Sequence, residues 1–107
     1  MVSQFEFIVQ EDCNRFRDLA KEYMHLTPEN GDSAYKLAID SWLLAQRWSE
    51  ISSNASKISL DRDINKTDFQ KWAYEKYRQL QLMHEHCRSI WKTATDELRA
   101  NKVIMGV

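Results

Sequence analysis

Apolar positions along residues 12–24 recur at steps of three and four: Phe16, Leu19, Ala20 and Tyr23, with Arg17, Asp18, Lys21 and Glu22 falling mostly between them. That spacing marks one face of an α-helix and predicts a first helix over about 12–24. The stretch "LTPENGD" breaks it, with Pro28 and Gly31 as punctuation. A second helix is predicted over about 33–55, with Asp32 or Ser33 able to cap its start. One of its faces reads Leu37, Ser41, Leu44, Trp48, Ile51, Ala55, Ile58, alternating steps of four and three like a coiled-coil seam. A second face, Tyr35, Ile39, Trp42 and Leu43, lies nearly opposite. The first half of this helix is therefore apolar nearly all round and is expected to be buried on both sides. The first helix is the nearest segment to cover the second face.

"SLDRDINK" reads as a polar connector, and Thr67 with Gln70 fits a capping box. No Gly or Pro follows until Gly106, so a third helix is predicted over about 68–100, roughly 50 Å long. Its seam reads Ala73, Tyr77, Leu80, His84, Cys87, Trp91, Ala94, Leu98, flanked by Phe69, Trp72, Met83 and Ile90. The opposite side carries Lys71, Glu75, Arg78, Glu85, Ser89, Lys92 and Asp96, a solvated face in which Leu82 is the one misfit. Outside the helices, "VSQFEFIV" alternates Phe5, Phe7 and Val9, which points to a short extended arm. The C-terminal "KVIMGV" is similarly apolar, so the two ends can pair with each other or either can dock on a partner.

These elements predict an all-α fold in one domain over 1–107: a short N-terminal helix plus a long antiparallel helical hairpin, three-helix bundle-like. The third helix is longer than such a small domain can cover, and the apolar arc of its wheel is wider than the ~100° stripe of an ordinary surface helix. An oligomeric state or a protein partner is therefore expected. Trp72, Met83, Ile90, Trp91 and Leu82 are the candidate interface residues. Tryptophan is enriched at interface hot spots, although aromatic residues at helical spacing also fill cores.

Composition narrows the classes. Two glycines and one proline in 107 residues leave too few turns for a sheet protein. The net charge of −1 supplies no field to draw in nucleic acid or an acidic membrane. The longest uninterrupted apolar stretch is Trp42–Ala45, far short of a membrane span. With no secretion signal at the start, Cys13 and Cys87 are expected as free thiols in a cytoplasmic setting, and the two glycosylation-like triplets at Asn54 and Asn65 as chance matches.

The stretch "QLMHEHCRSIW" at 81–91 looks like chemistry, but on a helix His84 and His86 are about 200° apart and cannot serve one ion from one face. His84 and Cys87 can converge, yet a zinc site needs further ligands, and Cys13 and His25 lie on different helical faces. Catalysis by a Cys87 nucleophile would need an accessible thiol of low pKa, and a buried mid-helix position supplies neither. Two glycines cannot build a phosphate loop. No enzyme activity and no cofactor are expected. For nucleic acid the candidates are Arg15, Arg17 and Lys21, interleaved with acids, which a ring-shaped oligomer could bring together from several copies.

The hairpin over residues 33–100 resembles, in architecture alone, small helical-hairpin proteins of bacteriophages, including small terminase subunits and recombination mediators that assemble into rings. No signature residue matches, so no functional residue is carried over. The leading expectation is a non-enzymatic helical protein–protein interaction or assembly module, of the kind that accessory or inhibitor proteins of phages and mobile elements use. One alternative is an oligomeric DNA-handling subunit. Another is a metal- or thiol-dependent switch at His84 and Cys87.

Overall fold

The computed structural model describes the backbone of residues 5–105 and the side chains of residues 5–96. A 3-10 turn over Glu6–Ile8 leads into α1 (Gln10–Met24), α2 (Gly31–Ser53), α3 (Ala55–Arg62) and α4 (Lys66–Met105). The described residues contain no strand. The expected extended arm is instead the 3-10 turn: Phe5 turns inward against the Phe69 and Trp72 rings at 5.6 and 5.7 Å, and Phe7 points to solvent. Whether the two apolar ends pair or dock elsewhere lies outside the described residues.

Both long helices start earlier than predicted, because asparagines do the capping. Asn30 Oδ1 accepts the Ser33 amide at 3.3 Å, in place of a cap from Asp32 or Ser33. Asn65 Oδ1 accepts the Asp68 amide at 3.0 Å, in place of Thr67. Asparagine is as good an N-cap as Asp or Ser, and in each case it stands two residues ahead of the first candidate considered. Gly31 opens α2 where α4 comes close: a Cβ added there would lie 2.9 Å from Ala94 Cβ.

The first half of the polar connector, 59–62, proves to be helical, and 63–65 link it to α4. Asn54 interrupts α2 for one residue while its own carbonyl accepts the Ile58 amide at 3.0 Å, so α3 continues the backbone ladder. Ala55 is buried and Ile58 packs against the core, as the seam pattern required, while Leu60 is left outside. Asp63 ends α3 in the left-handed region at φ 52°, a conformation that Asp tolerates better than most non-glycine residues.

α2 and α4 run antiparallel, with Gly31 level with Ala94, Tyr35 level with Trp91 and Trp48 level with Trp72. Their seams meet as predicted. Leu44, Trp48, Ile51, Ala55, Phe69, Ala73 and Leu80 form the main core with Phe5 and Cys13, and Leu37, Ala38 and Cys87 form a second cluster nearer the α2 start. The seam hydroxyl of Ser41 is satisfied by the Leu37 carbonyl at 2.6 Å, the usual way a helix hides a serine. The molecule is a rod of 66 × 24 × 16 Å. Forty residues of α4, at about 1.5 Å each, account for its length.

α1 lies along one flank of this hairpin. Leu19, Tyr23 and Leu26 pack on the Leu37–Ala38–Cys87 cluster, and Phe16 joins the main core. Polar contacts hold the same position: Arg47 pairs with Asp12 at 3.4 Å, Lys76 stands over the Phe16 ring at 4.6 Å, and the Tyr23 hydroxyl is hydrogen-bonded to His86 Nδ1. The expectation that the first helix would cover Tyr35, Ile39, Trp42 and Leu43 is therefore corrected. It covers the Leu37 side instead, and the other flank stays open.

Candidate interaction surface

On the open flank, α2 and α4 diverge around a groove of about 320 Å³. Ala38, small and almost fully buried, forms its floor. One wall is Tyr35, Ile39 and Trp42 from α2; the other is His84, Arg88 and Trp91 from α4. Both sets have the spacing i, i+4, i+7, which puts three side chains on one helical face. Tyr35 and Trp91 close one end, their rings 5.1 Å apart and tilted by 46°. Exposure is high for such side chains: Tyr35 46%, Ile39 41%, Trp42 49% and Trp91 37%, with Leu43 beside them at 53%. Single exposed apolar residues are ordinary on a protein surface; five gathered on one face are not.

The polar groups are few and fixed. His84 Nδ1 lies 2.7 Å from the Ala38 carbonyl oxygen. A carbonyl only accepts, so Nδ1 carries the proton and, in the neutral ring, Nε2 is the acceptor. The imidazole is thereby tied across the groove floor and braces α4 against α2. Arg88 supplies the one permanent charge among the lining residues.

The five interface candidates named from the sequence scatter. Trp91 lines the groove. Trp72 is half-buried in an aromatic cluster, 5.1 Å from Trp48 and 5.8 Å from Phe69. Met83 packs beside Leu37 and Cys87, and Ile90 is half-buried. Leu82 is exposed, on the opposite side of α4 from Trp91. Tyr35, Ile39, Trp42 and Leu43 were recognised as an apolar face but assigned to burial. Arg88 was missed as a groove residue; its spacing from His84 and Trp91 was the available signal.

The basic set of α1 is not brought together as a patch. Arg17 is ion-paired with Glu6 and donates to Asn14 Oδ1 at 3.0 Å, and Arg15 lies among Asp18 and Asp40. Lys21 is exposed. Among the described residues no three His, Cys, Asp or Glu side chains are grouped to hold a metal ion, and no helix is long and apolar enough to cross a membrane.

Both thiols are buried. Burial pushes the Cys87 thiol up from its ordinary value; burial, and then the nearby Glu6 carboxylate, do the same to Cys13. The thiolate is the reactive form. In the folded protein at pH 8 both cysteines are accordingly expected to resist a disulfide-exchange reagent and to react promptly and fully in denaturant. Rapid labelling of one thiol in the native state would contradict this placement. Comparison with protein-family models, with curated proteins and with solved structures found no match to the chain.

Proposed function

We propose that the protein is a non-enzymatic helical interaction module whose working surface is the open flank of the α2–α4 hairpin. One observation carries this reading: the groove between Tyr35, Ile39 and Trp42 on α2 and His84, Arg88 and Trp91 on α4 is apolar, preformed and uncovered. A rigid aromatic-lined groove on two packed helices is the kind of surface that accepts an apolar helical face. Tyrosine, tryptophan and arginine are also the residue types that dominate interface energetics. The groove is open along its length, so it does not enclose a small molecule as ligand cavities do.

The test is capture from the source cell with tagged protein, wild type against the double substitution Ile39→Asp, Leu43→Asp. Whatever protein the wild type retains, untagged copies of the chain included, is expected to be lost by the double variant. It should still be retained by Leu82→Asp, which changes an exposed leucine on the opposite face of α4. Retention by the double variant would remove the open flank as the working surface.

A further inference from the structure

A ridge stands beside the groove on the same face. Ile39 and Leu43 are one turn apart on the outer edge of α2, both about half-exposed. Ile39 is also part of the groove wall, and Ala38 and Trp42 lie on the inner edge of the same helix. An apolar strip beside an apolar groove on one face lets two copies meet about a two-fold axis, each strip against the other's groove. We infer that the occupant of the groove is α2 of a second copy of this chain, lying antiparallel, so that the Ile39–Leu43 ridge of each copy sits in the α2–α4 groove of the other. The inference rests on the reading of the open flank as an interaction surface and names its partner.

Geometry and area support this occupant. The two α2 helices pack ridge into groove, and with the two flanking α4 helices they form a four-helix layer of familiar kind. The described residues contain no strand edge, so pairing by an added strand is not available to this chain. At roughly 200 Å² for a whole aromatic side chain and somewhat less for an aliphatic one, the exposed parts of Tyr35, Ile39, Trp42, Leu43 and Trp91 amount to on the order of 400 Å². A standard interface takes about 800 Å² from each partner, a little over half of it apolar. The patch therefore matches the apolar core of one dimer interface, with the polar rim still to come from its surroundings. That rim carries both signs. Arg88 and Lys92 stand on α4, Asp32 and Glu50 on α2. An antiparallel crossing near Ile39–Leu43 brings Glu50 of one copy level with both Lys92 and Asp32 of the other, so the rim charges are mixed and the apolar area carries the argument.

The experiment is a mass measurement by light scattering on the purified chain, run from tens to hundreds of micromolar. The expected mass is twice the chain's 12.7 kDa. Ile39→Asp with Leu43→Asp should weaken the dimer by about 100-fold or more, the loss expected when two central contacts of an interface become buried carboxylates. Helical circular dichroism should be unchanged, since both positions are exposed on the single chain. As a second readout, Leu82→Asp, on the far face of α4, should leave the dimer intact. A wild-type monomer throughout this range would overturn the inference. So would a dimer indifferent to the two aspartates. A monomer whose capture of another protein is still lost on Ile39→Asp, Leu43→Asp would reject the second copy as occupant and leave the open flank as an interaction surface. A monomer with no such dependence would reject both.

Discussion

Replacing Trp48 with alanine is expected to destabilise the fold by about 3–5 kcal/mol, the range for removing a large aromatic residue from a core. Trp48 is fully buried at the meeting of the turn before α1, α2 and α4. It stands edge-on to Trp72 at 5.1 Å, and Trp72 in turn touches Phe5 and Phe69. Alanine removes the fully buried ring of that cluster, and helices packed on either side cannot close over the space. Trp48→Phe should cost much less. It gives up part of the ring volume, but it also removes the indole N–H, a buried donor without a hydrogen-bond partner. An unpaired buried donor costs about 1–3 kcal/mol, so its removal offsets much of the lost packing. Urea unfolding of both variants at one fixed protein concentration reads the contrast, and equal losses for phenylalanine and alanine would show that the indole N–H carries no such penalty. The concentration must be fixed because any self-association adds to apparent stability by mass action.

Two leucines one position apart from a shared neighbour make the second large contrast. Leu80→Ala is expected to cost about 2–5 kcal/mol, and Leu82→Ala to stay within about 0.5 kcal/mol. Leu80 has no exposed surface and lies on the α4 seam against α2, whereas Leu82 is 62% exposed. Two residues along a helix is a turn of about 200°, so one side chain faces the core and the other faces away from it. For a chain of this size, each kcal/mol shifts the melting temperature by about 4–8 °C. Thermal scans should therefore separate the pair without fitting. A comparable drop for Leu82→Ala would mean that the far face of α4 is covered by something the single chain does not contain.

Much of the architecture was legible in the residue pattern, for a local reason. The alternating steps of four and three in Leu37–Ile58 and Ala73–Ala94 report the helical period directly, and every turn that keeps the step repeats the message. The seams therefore appear where they were predicted. Punctuation was less legible. Asn30 and Asn65 could each serve as a cap, but so could their neighbours, and local sequence does not rank them. The second half of α3 was read as a connector because Leu60, Asp61, Arg62 and Asp63 carry no apolar stripe. The backbone ladder continuing through Asn54, with Ala55 and Ile58 packed on the core, builds that helix without one.

The candidate site was half legible. Tyr35, Ile39, Trp42 and Leu43 stood out as a face, and Trp91 as a candidate contact. That they belong to one open groove was not written in the spacing. By itself the sequence determined the three longer helices, the two seams and the antiparallel hairpin, because these follow from side chains one or two turns apart and from the short reach of the connections. Tertiary structure alone decided which flank α1 would cover. α2 offers apolar residues on both sides of its seam, so burial in general favours neither. The choice fell to contacts between residues distant in the chain: Leu19, Tyr23 and Leu26 meeting Leu37 and Cys87, Asp12 reaching Arg47, and Tyr23 reaching His86. The same choice leaves Tyr35, Ile39 and Trp42 uncovered, and so it creates the groove.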